Sequence, residues 1–213
     1  MAKLYNTTLF IIKGSNITIK LFLIVIMLSI PLAILLSLIK VSKNRVGRVI
    51  ISIYTWIFRG TPLLIQLFFI YFGVPYLGFR ISRFNAAIIT FTLNYAAYLT
   101  ENFRGAIQSI DKGQYEASKA LGMNNYYTMT RVIIPQAIRR AIPSTCNEAI
   151  SLVKDTALVA IIGMEEILRA AKEIMTRDFT LLPFLIGGIV YLIIGAVIIF
   201  TFKRIEVRYS YYE

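Results

Sequence analysis

The stretch LFLIVIMLSIPLAILLSLI, which runs from Leu21 to Ile39, contains no charged residue. A bilayer core about 30 Å thick needs about 20 apolar residues in a helix, and this run of 19 comes close to that length. Residues 1–20 hold three lysines and no small-residue cleavage site before the run, so we expect the run to be a retained span and not a removed signal peptide. The stretch therefore predicts a transmembrane helix.

The composition of the whole chain agrees with a membrane protein. Of 213 residues, 57% are hydrophobic and 16% are charged, and the mean hydropathy is +0.69. Soluble domains carry about 25% charged residues. The chain has no histidine and a single cysteine, Cys146, which excludes internal disulfides, Cys/His zinc sites and catalysis by a histidine acid or base. The net charge of +12 lies mainly between apolar runs, where it is typical of membrane topology and lipid headgroup contact, so we expect no nucleic acid as a partner.

Four further apolar segments predict an all-α integral membrane protein with about five transmembrane helices. The break Arg59-Gly60-Thr61-Pro62 divides one long apolar stretch, because Thr61 suits a helix N-cap and Pro62 suits the first helical position. We expect a single transmembrane domain covering 1–213. The predicted spans are 21–39, 62–77, 84–103, 141–162 and 181–202, with a short interfacial helix at 49–58.

The positions of lysine and arginine orient these spans. Thirteen basic residues lie in 40–48, in 104–140 and in the tail after the last span, and eight lie on the other side. Basic residues concentrate in cytoplasmic loops. The count therefore places the C-terminus and segment 104–140 in the cytoplasm and the N-terminus outside, in a multi-pass protein of the cytoplasmic membrane.

The polar segment between the third and fourth spans contains a spaced pattern. It reads GQYEASKALG from 113 to 122, and VIIP follows at 132–135 after a gap of nine residues. Glu116 and the small side chains of Ala117 and Ser118 form a helix surface that can sit in a groove of another protein. The glycine at 122 is a candidate C-cap, and the proline at 135 closes the segment near the membrane.

This loop, at about 111–135, resembles the EAA loop of ABC importer permeases, whose pattern is E-A-A, three residues, G, nine residues and I-x-L-P. Ser118 stands for the second alanine, and Val132 and Ile134 stand for the isoleucine and leucine. The resemblance implies a type I ABC importer-like fold in which the loop is a cytoplasmic coupling helix docked on an ATP-binding subunit. The residues expected to couple the chain to that subunit are Glu116, Ala117, Ser118, Gly122 and Pro135.

Three more strings are similar to the polar amino-acid branch of these permeases, which includes the histidine, glutamine and arginine permeases. They are FRGTPLL at 58–64, YLTENFRG at 98–105 and KDTAL at 154–158, the last with alanine where the branch has serine. The similarity extends over about 7–203. It implies an amino-acid substrate, a second permease subunit and an external solute-binding protein. We favour a homodimer, since the closed two-fold dimer is the commonest symmetry.

The chain contains no G-x-x-x-x-G-K-[ST] phosphate loop. The resemblance therefore implies that ATP and Mg are bound by a separate subunit and that this chain is a transport subunit without catalytic residues. A secondary transporter or channel for small polar solutes is the alternative, but it predicts internal repeats, which the sequence lacks, and leaves the EAA-like loop unexplained. A membrane enzyme would need a nucleophile–base pair or a metal cluster, and the sequence, with no histidine and one cysteine, offers neither.

Two predicted spans carry polar side chains on one face. In the third they are Asn94, Tyr98 and Glu101, and in the fourth Asn147, Ser151 and Asp155, with Glu148 beside them. Polar groups in a span normally face a bundle interior or a wet cavity, so the two faces are candidates to line one cavity. The candidate substrate contacts are Asn94, Tyr98, Asn147, Glu148 and Ser151.

The acidic residues of these spans have different expected partners. Arg104 lies three residues after Glu101, and we expect an ion pair between them. Glu148 has no basic residue three or four positions on, so it is the best candidate to contact a cationic substrate such as arginine or lysine. A pair between Glu148 and a basic group on another helix is the open alternative.

Three more charged residues leave alternatives open. Arg59 is either a gate or contact for the substrate carboxylate, or an anchor at the cytoplasmic interface, and we favour the anchor because arginine commonly snorkels there. Lys154 and Asp155 are neighbours in sequence and do not face each other on a helix. We expect each of them to pair elsewhere in the structure.

Overall fold

The computed structural model describes residues 1–210, and the last three residues of the predicted domain 1–213 lie outside this range. The described chain is helical. Its α-helices are α1 (Ala2–Val41), α2 (Arg45–Gly60), α3 (Leu63–Phe68), α4 (Val74–Tyr76), α5 (Arg83–Gln108), α6 (Lys112–Ala120), α7 (Asn125–Tyr127), α8 (Ile134–Asp155), α9 (Ile167–Asp178) and α10 (Leu182–Ser210).

Two helices have the length and composition to cross a membrane alone, namely α1 and α10. A third candidate is the pair formed by α2 and Leu63–Tyr76, which is bent by 103°. Helices α5 and α8 pack against each other and also against α1. Because much of their surface faces protein, they can carry polar residues that lipid would not tolerate. The all-α architecture is confirmed, and each predicted span corresponds to helical structure.

Several predicted boundaries are wrong, among them those of α1, of α8 and of the bend after α2. Helix α1 begins at Ala2, although we expected the span to begin at Leu21. Lys13 and Lys20 interrupt the apolar run, but they do not break the helix. Its 40 residues extend about 60 Å at 1.5 Å per residue, about twice the thickness of a bilayer core. Helix α8 likewise begins earlier than the predicted residue 141 and ends at Asp155.

The third error concerns the bend between α2 and α3. Thr61 is the C-cap of α2, and its hydroxyl donates back to the Ile57 carbonyl at 2.8 Å. Pro62, which we expected inside the next helix, is instead the N-cap of α3. The sequence located the break correctly but assigned the caps one residue too early.

Two proline residues explain the π-helical turns of the fold. Phe69–Gly73 precedes Pro75, and Thr128–Ile133 precedes Pro135. A proline has no backbone N–H and its ring clashes with the carbonyl four residues earlier, so the preceding turn cannot close with the usual hydrogen bond. The chain widens by one residue in both places and continues as a helix.

A buried carboxylate joins distant parts of the chain beside α9. Glu166 is 0% exposed, and it accepts hydrogen bonds from the Thr18 hydroxyl at 3.0 Å, from the Leu168 amide at 2.8 Å and from the Tyr191 hydroxyl. Gly14 allows this approach, because a Cβ there would lie 3.0 Å from the backbone of Glu166. The contact fixes α1 and α10 against the N-terminus of α9.

Candidate functional site

A cavity of about 630 Å³ lies where the bend between α2 and α3 faces α5 and α8. The bend supplies backbone and side chains, α5 supplies polar and aromatic groups, and α8 supplies two carboxylates and a hydroxyl. A cavity of similar volume lies beside α9, but none of the predicted site residues lines it. The lining residues of the first cavity are Arg59, Gly60, Thr61, Pro62, Leu63, Asn94, Tyr95, Tyr98, Glu148, Ser151 and Asp155.

The cavity brings together four of the five predicted substrate contacts, which are Asn94, Tyr98, Glu148 and Ser151. Asn147 is not among its lining residues and is exposed. The polar face of α8 follows 148, 151 and 155, and not 147, 151 and 155 as the sequence suggested. Because successive helical residues are about 100° apart, this difference turns Asn147 away from the cavity.

Asn94 has a structural role at the bend. Its side-chain amide donates to the Phe58 carbonyl at 2.9 Å and to Gln66 Oε1 at 3.0 Å. Gln66 in turn donates to the same carbonyl at 2.9 Å and to the Thr61 hydroxyl at 2.7 Å. These bonds satisfy carbonyl groups that the end of α2 leaves open. Asn94 is therefore committed to holding the bend, and Asn94 Nδ2 already has two protein acceptors.

Glu148 faces the cavity with one weak protein contact. The Asn102 amide donates to Glu148 Oε1 at 3.4 Å. Within residues 1–210, no basic group lies within ion-pair distance of Glu148. A basic group on another helix, Arg59, lines the same cavity and interacts with Glu148 electrostatically without forming an ion pair. Most of the hydrogen-bonding capacity of this carboxylate is open to the cavity.

Two charged residues that were not among the predicted substrate contacts also line the cavity. Asp155 lines the cavity and accepts a hydrogen bond from the Tyr95 hydroxyl at 2.6 Å. Arg59 also lines it, with its guanidinium carbon 5.3 Å from the centre of the Tyr98 ring. The spacing of Asp155 seven residues after Glu148 was the available signal, since seven residues are about two helical turns. The cavity therefore presents two carboxylates and one guanidinium.

Glu101 lies away from this cavity and is fully paired. The predicted ion pair is confirmed, with Arg104 Nε 2.8 Å from Glu101 Oε2. Lys40 binds the other carboxylate oxygen, and the Thr55 hydroxyl donates to that oxygen at 3.1 Å. No local spacing pointed to Lys40 or Thr55 as partners, because both come from other helices.

The EAA-like loop forms the short helix α6 with a defined beginning and end. Asp111 caps it by accepting a hydrogen bond from the Gly113 amide at 2.7 Å. Gly122 has a φ of 73° and its amide donates to the Lys119 carbonyl at 2.9 Å, so it ends the helix in the left-handed conformation that glycine favours. The helix ends where the sequence predicts, although the C-cap is Leu121 and Gly122 is the residue after it.

The predicted coupling residues do not share one surface. Glu116 and Ala117 are exposed on α6, whereas Ser118 is 3% exposed and its hydroxyl donates to the Gln114 carbonyl at 2.7 Å. Pro135 is half-buried at the start of α8. Ser118 therefore faces the chain itself, and the surface available to a partner contains Glu116, Ala117 and the turn after α6.

Comparison with known proteins identifies the relatives of this chain. Residues 14–211 match the family of binding-protein-dependent transport system inner membrane components. A putative glutamine transport system permease protein of Rickettsia typhi is 40% identical over 208 residues, which are 97% of this chain and 95% of that protein. The arginine transport system permease protein of Bacillus subtilis is 39% identical over 199 residues, which are 92% and 91% of the two chains.

A solved structure gives the same answer for the fold. The crystal structure of an amino acid ABC transporter with histidines aligns with a TM-score of 0.89 and 32% identity, over 97% of each chain. The helices and the cavity described above are thus arranged on the fold of an ABC importer permease. Among the described residues, no group of three or more histidine, cysteine or acidic side chains is placed to hold a metal ion.

Proposed function

The chain belongs to the family of binding-protein-dependent transport system inner membrane components, and we propose that the amino acids it carries are basic, arginine or lysine. It is the membrane-spanning subunit of an ABC importer for amino acids and not an enzyme. Family membership implies an ATP-binding subunit and a binding protein as partners. One observation carries the proposal of a basic substrate, namely the set of charges around the cavity.

A basic amino acid at neutral pH carries an α-ammonium group, a cationic side chain and an α-carboxylate. The cavity offers Glu148 and Asp155 for the two cations and Arg59 for the carboxylate. Charge-assisted hydrogen bonds of this kind are about twice as strong as neutral ones. Glutamine would satisfy only one of the two acidic groups and leave the other without a cation, which is unfavourable in a partly enclosed site.

The relatives are compatible with this choice but do not decide it. Their names mention glutamine in one case and arginine in another, and the solved transporter was crystallised with histidines. These amino acids share the α-ammonium and α-carboxylate groups and differ in side-chain charge. The charge of the cavity is therefore the feature that favours arginine and lysine over glutamine.

The test uses the complete transporter in liposomes, with its ATP-binding subunit inside and its binding protein supplied outside. We expect arginine or lysine to accumulate at least about tenfold faster than glutamine, since one lost charge-assisted contact of about 1.4 kcal/mol corresponds to tenfold. A mixture of the three amino acids, each with a different isotope, measures the preference in one vesicle population. Equal or faster accumulation of glutamine would contradict the proposal.

The partner of this chain across the pathway is a second copy of itself. Support comes from the cavity, which is partly open and contains the Glu148 carboxylate with one weak protein contact. A closed two-fold dimer would place two such surfaces opposite each other. Co-expression of two differently tagged copies tests this, because a homodimer recovers both tags and a heterodimer with another permease recovers one.

The orientation places the C-terminus and α6 in the cytoplasm. The basic-residue count supports this orientation, and so does the exposure of Glu116 and Ala117 on α6, which would meet the ATP-binding subunit. After Cys146 is replaced by serine, a cysteine placed in 120–128 should react only from the cytoplasmic side and one in 76–82 only from outside. The reverse labelling pattern would overturn the orientation.

The turn after α6 is the part of the coupling surface that is easiest to test. Gly122→Ala forces a side chain into the left-handed conformation, at a cost of about 1–2 kcal/mol, although no atom lies within 4 Å of the added Cβ. We expect the ATP-binding subunit to be lost during purification. Gly105→Ala is the matched control, because its Cβ also meets no atom but its backbone lies within helix α5. Retention of the subunit by Gly122→Ala would remove the turn from the docking surface.

A further inference from the structure

The Glu101 carboxylate joins three helices at one point. Lys40 comes from the last turn of α1, Thr55 from α2, and Arg104 from α5 together with Glu101 itself. Lys40 Nζ binds Glu101 Oε1 and also donates to the Thr55 hydroxyl at 2.8 Å. The side chains of Lys40 and Glu101 are 12% and 13% exposed, so water competes little for these bonds.

Helix α2 is attached to α5 by polar bonds near both the Glu101 cluster and the cavity. At the Glu101 cluster the Thr55 hydroxyl donates to Glu101 at 3.1 Å. One turn later, at the cavity, the Phe58 carbonyl accepts from Asn94 at 2.9 Å. Together with the bonds of the Tyr54 hydroxyl to the Leu93 carbonyl at 2.5 Å and of the Tyr98 hydroxyl to the Arg59 carbonyl at 3.4 Å, these two bonds set the position of α2 along α5. The residue after Phe58 is Arg59, so the same attachment decides where the guanidinium stands in the cavity.

Helix α5 is also the direct connection to the coupling helix. Only residues 109–111 separate α5 from α6, and Ser109 caps α5 while Asp111 caps α6. Arg140 of α8 holds this connection through the carbonyl and hydroxyl groups of Ser109. A displacement of α6 therefore acts on the end of α5 that carries Glu101 and Arg104.

We propose that Glu101 is a positioning residue for transport, which locks α2 to α5 so that movement of α6 reaches the bend at 59–62 beside the cavity. Without this lock, α6 and α5 would still respond to the ATP-binding subunit, but α2 would follow less faithfully. ATP hydrolysis would then continue while fewer substrate molecules pass. The proposal depends on the chain being an ABC importer subunit and is independent of which amino acid is carried.

Thr55→Val gives the sharpest test, because it removes the hydroxyl through which α2 contacts both Glu101 and Lys40. The ion pairs of Glu101 with Lys40 and Arg104 remain, so α1 and α5 keep their attachment to each other. Thr201→Val is the matched control, since Thr201 is exposed on α10 and its hydroxyl bonds only its own helix, at the Val197 carbonyl. The measured quantity is the number of amino-acid molecules imported per ATP hydrolysed by the complete transporter in liposomes.

We expect Thr55→Val to lower this ratio at least about fivefold, the lower end of the range for coupling between sites, while Thr201→Val leaves it unchanged. Glu101→Gln should lower it further, and Glu101→Asp, which keeps the charge, should restore part of it. The assay uses whichever of arginine, lysine and glutamine the unmodified transporter carries, so a wrong substrate assignment does not affect it. An unchanged ratio in Thr55→Val, or an equal fall in Thr201→Val, would overturn the proposal even if Glu101→Gln fails to assemble.

Discussion

Glu101 on α5 and Glu148 on α8 are two carboxylates of the helical bundle, and they differ in how many protein partners they have. Glu101 is bound by Lys40, Arg104 and the hydroxyl of Thr55. Glu148 has a single amide donor, Asn102, at 3.4 Å, and it faces the cavity. An acidic group inside a membrane protein is costly unless it is paired or wet. The first carboxylate is used by the protein itself, and the second is left available to a molecule that enters from outside.

The largest expected difference between the two carboxylates is in stability. Glu101→Ala leaves Lys40 and Arg104 without their anion, and removing one partner of a buried ion pair costs about 3–5 kcal/mol. Glu148→Ala removes a charge that has no cation within ion-pair distance in the described chain, so stability should stay within about 0.5 kcal/mol or rise slightly. Thermal unfolding of the purified complex in detergent measures both. Equal losses of stability in Glu101→Ala and Glu148→Ala would contradict the view that only Glu101 is paired by the protein.

The second expected difference concerns the response to substrate, and here Glu148 matters more than Glu101. Glu148→Gln keeps the shape of the side chain and one acceptor oxygen but removes the charge. With the binding protein saturated by arginine, we expect stimulation of ATP hydrolysis to fall about tenfold, because a charge-assisted bond contributes about 1.5–3 kcal/mol. Stimulation by glutamine should change less.

Glu206→Gln is the matched control for this measurement, as the same chemical change at an exposed position of α10. If Glu148→Gln behaves like Glu206→Gln toward arginine, the carboxylate is structural and the charge argument for a basic substrate fails.

Asp155 is intermediate between the two carboxylates, and so is its expected effect. It lines the cavity but already accepts a hydrogen bond from Tyr95 at 2.6 Å. Asp155→Asn keeps that acceptor, so we expect arginine stimulation to fall about threefold, equivalent to about 0.7 kcal/mol. Dose–response curves with arginine-loaded binding protein give the number. A loss larger than that of Glu148→Gln would make Asp155 the principal cation contact.

The smallest effects compare two positions of α8. Ser151 lines the cavity and Asn147 does not. Ser151→Ala should weaken arginine stimulation about twofold, in line with about 0.5 kcal/mol for a neutral hydrogen bond, and Asn147→Ala should leave it unchanged. The same ATPase assay resolves both when each variant is normalised to its basal rate. An effect of Asn147→Ala would place the polar face of the helix where the sequence first suggested.

The apolar helices and the coupling loop were the parts of this fold that sequence could predict. A long run without charges is stable only inside a membrane or a protein core. The EAA-like spacing can be recognised from neighbouring residues alone. Helix boundaries were harder to predict. Lys13 and Lys20 indicated the end of a span, and only the tertiary structure shows that the helix continues through them. The predicted start of α3, with Thr61 as N-cap and Pro62 as first residue, lies one residue before the observed start, because each of these residues suits two adjacent positions at a helix end.

The candidate site was predictable only as far as local spacing reaches. The pair of Glu101 with Arg104 follows from three residues of separation on a helix. Lys40 is 61 residues away from Glu101, and no pattern in the sequence connects them. An interface anchor was favoured for Arg59 over a substrate contact because arginine near a helix end commonly snorkels there, whereas the residue lines the cavity beside the bend after α2. Contacts between helices require the tertiary structure.

The buried Glu166 has a consequence for how the chain is made. Its carboxylate needs the hydroxyl of Thr18, near the beginning, and that of Tyr191, near the end. Thr18 leaves the ribosome long before Tyr191, so during synthesis this acidic side chain must wait for the last helix before its hydrogen bonds are complete. Burying a charged group with partners missing is costly. The contact between Thr18 of α1 and the start of α9 is therefore complete only after α10 has entered the membrane, and a chain that stops short of Tyr191 would leave the Glu166 carboxylate without one of its three donors.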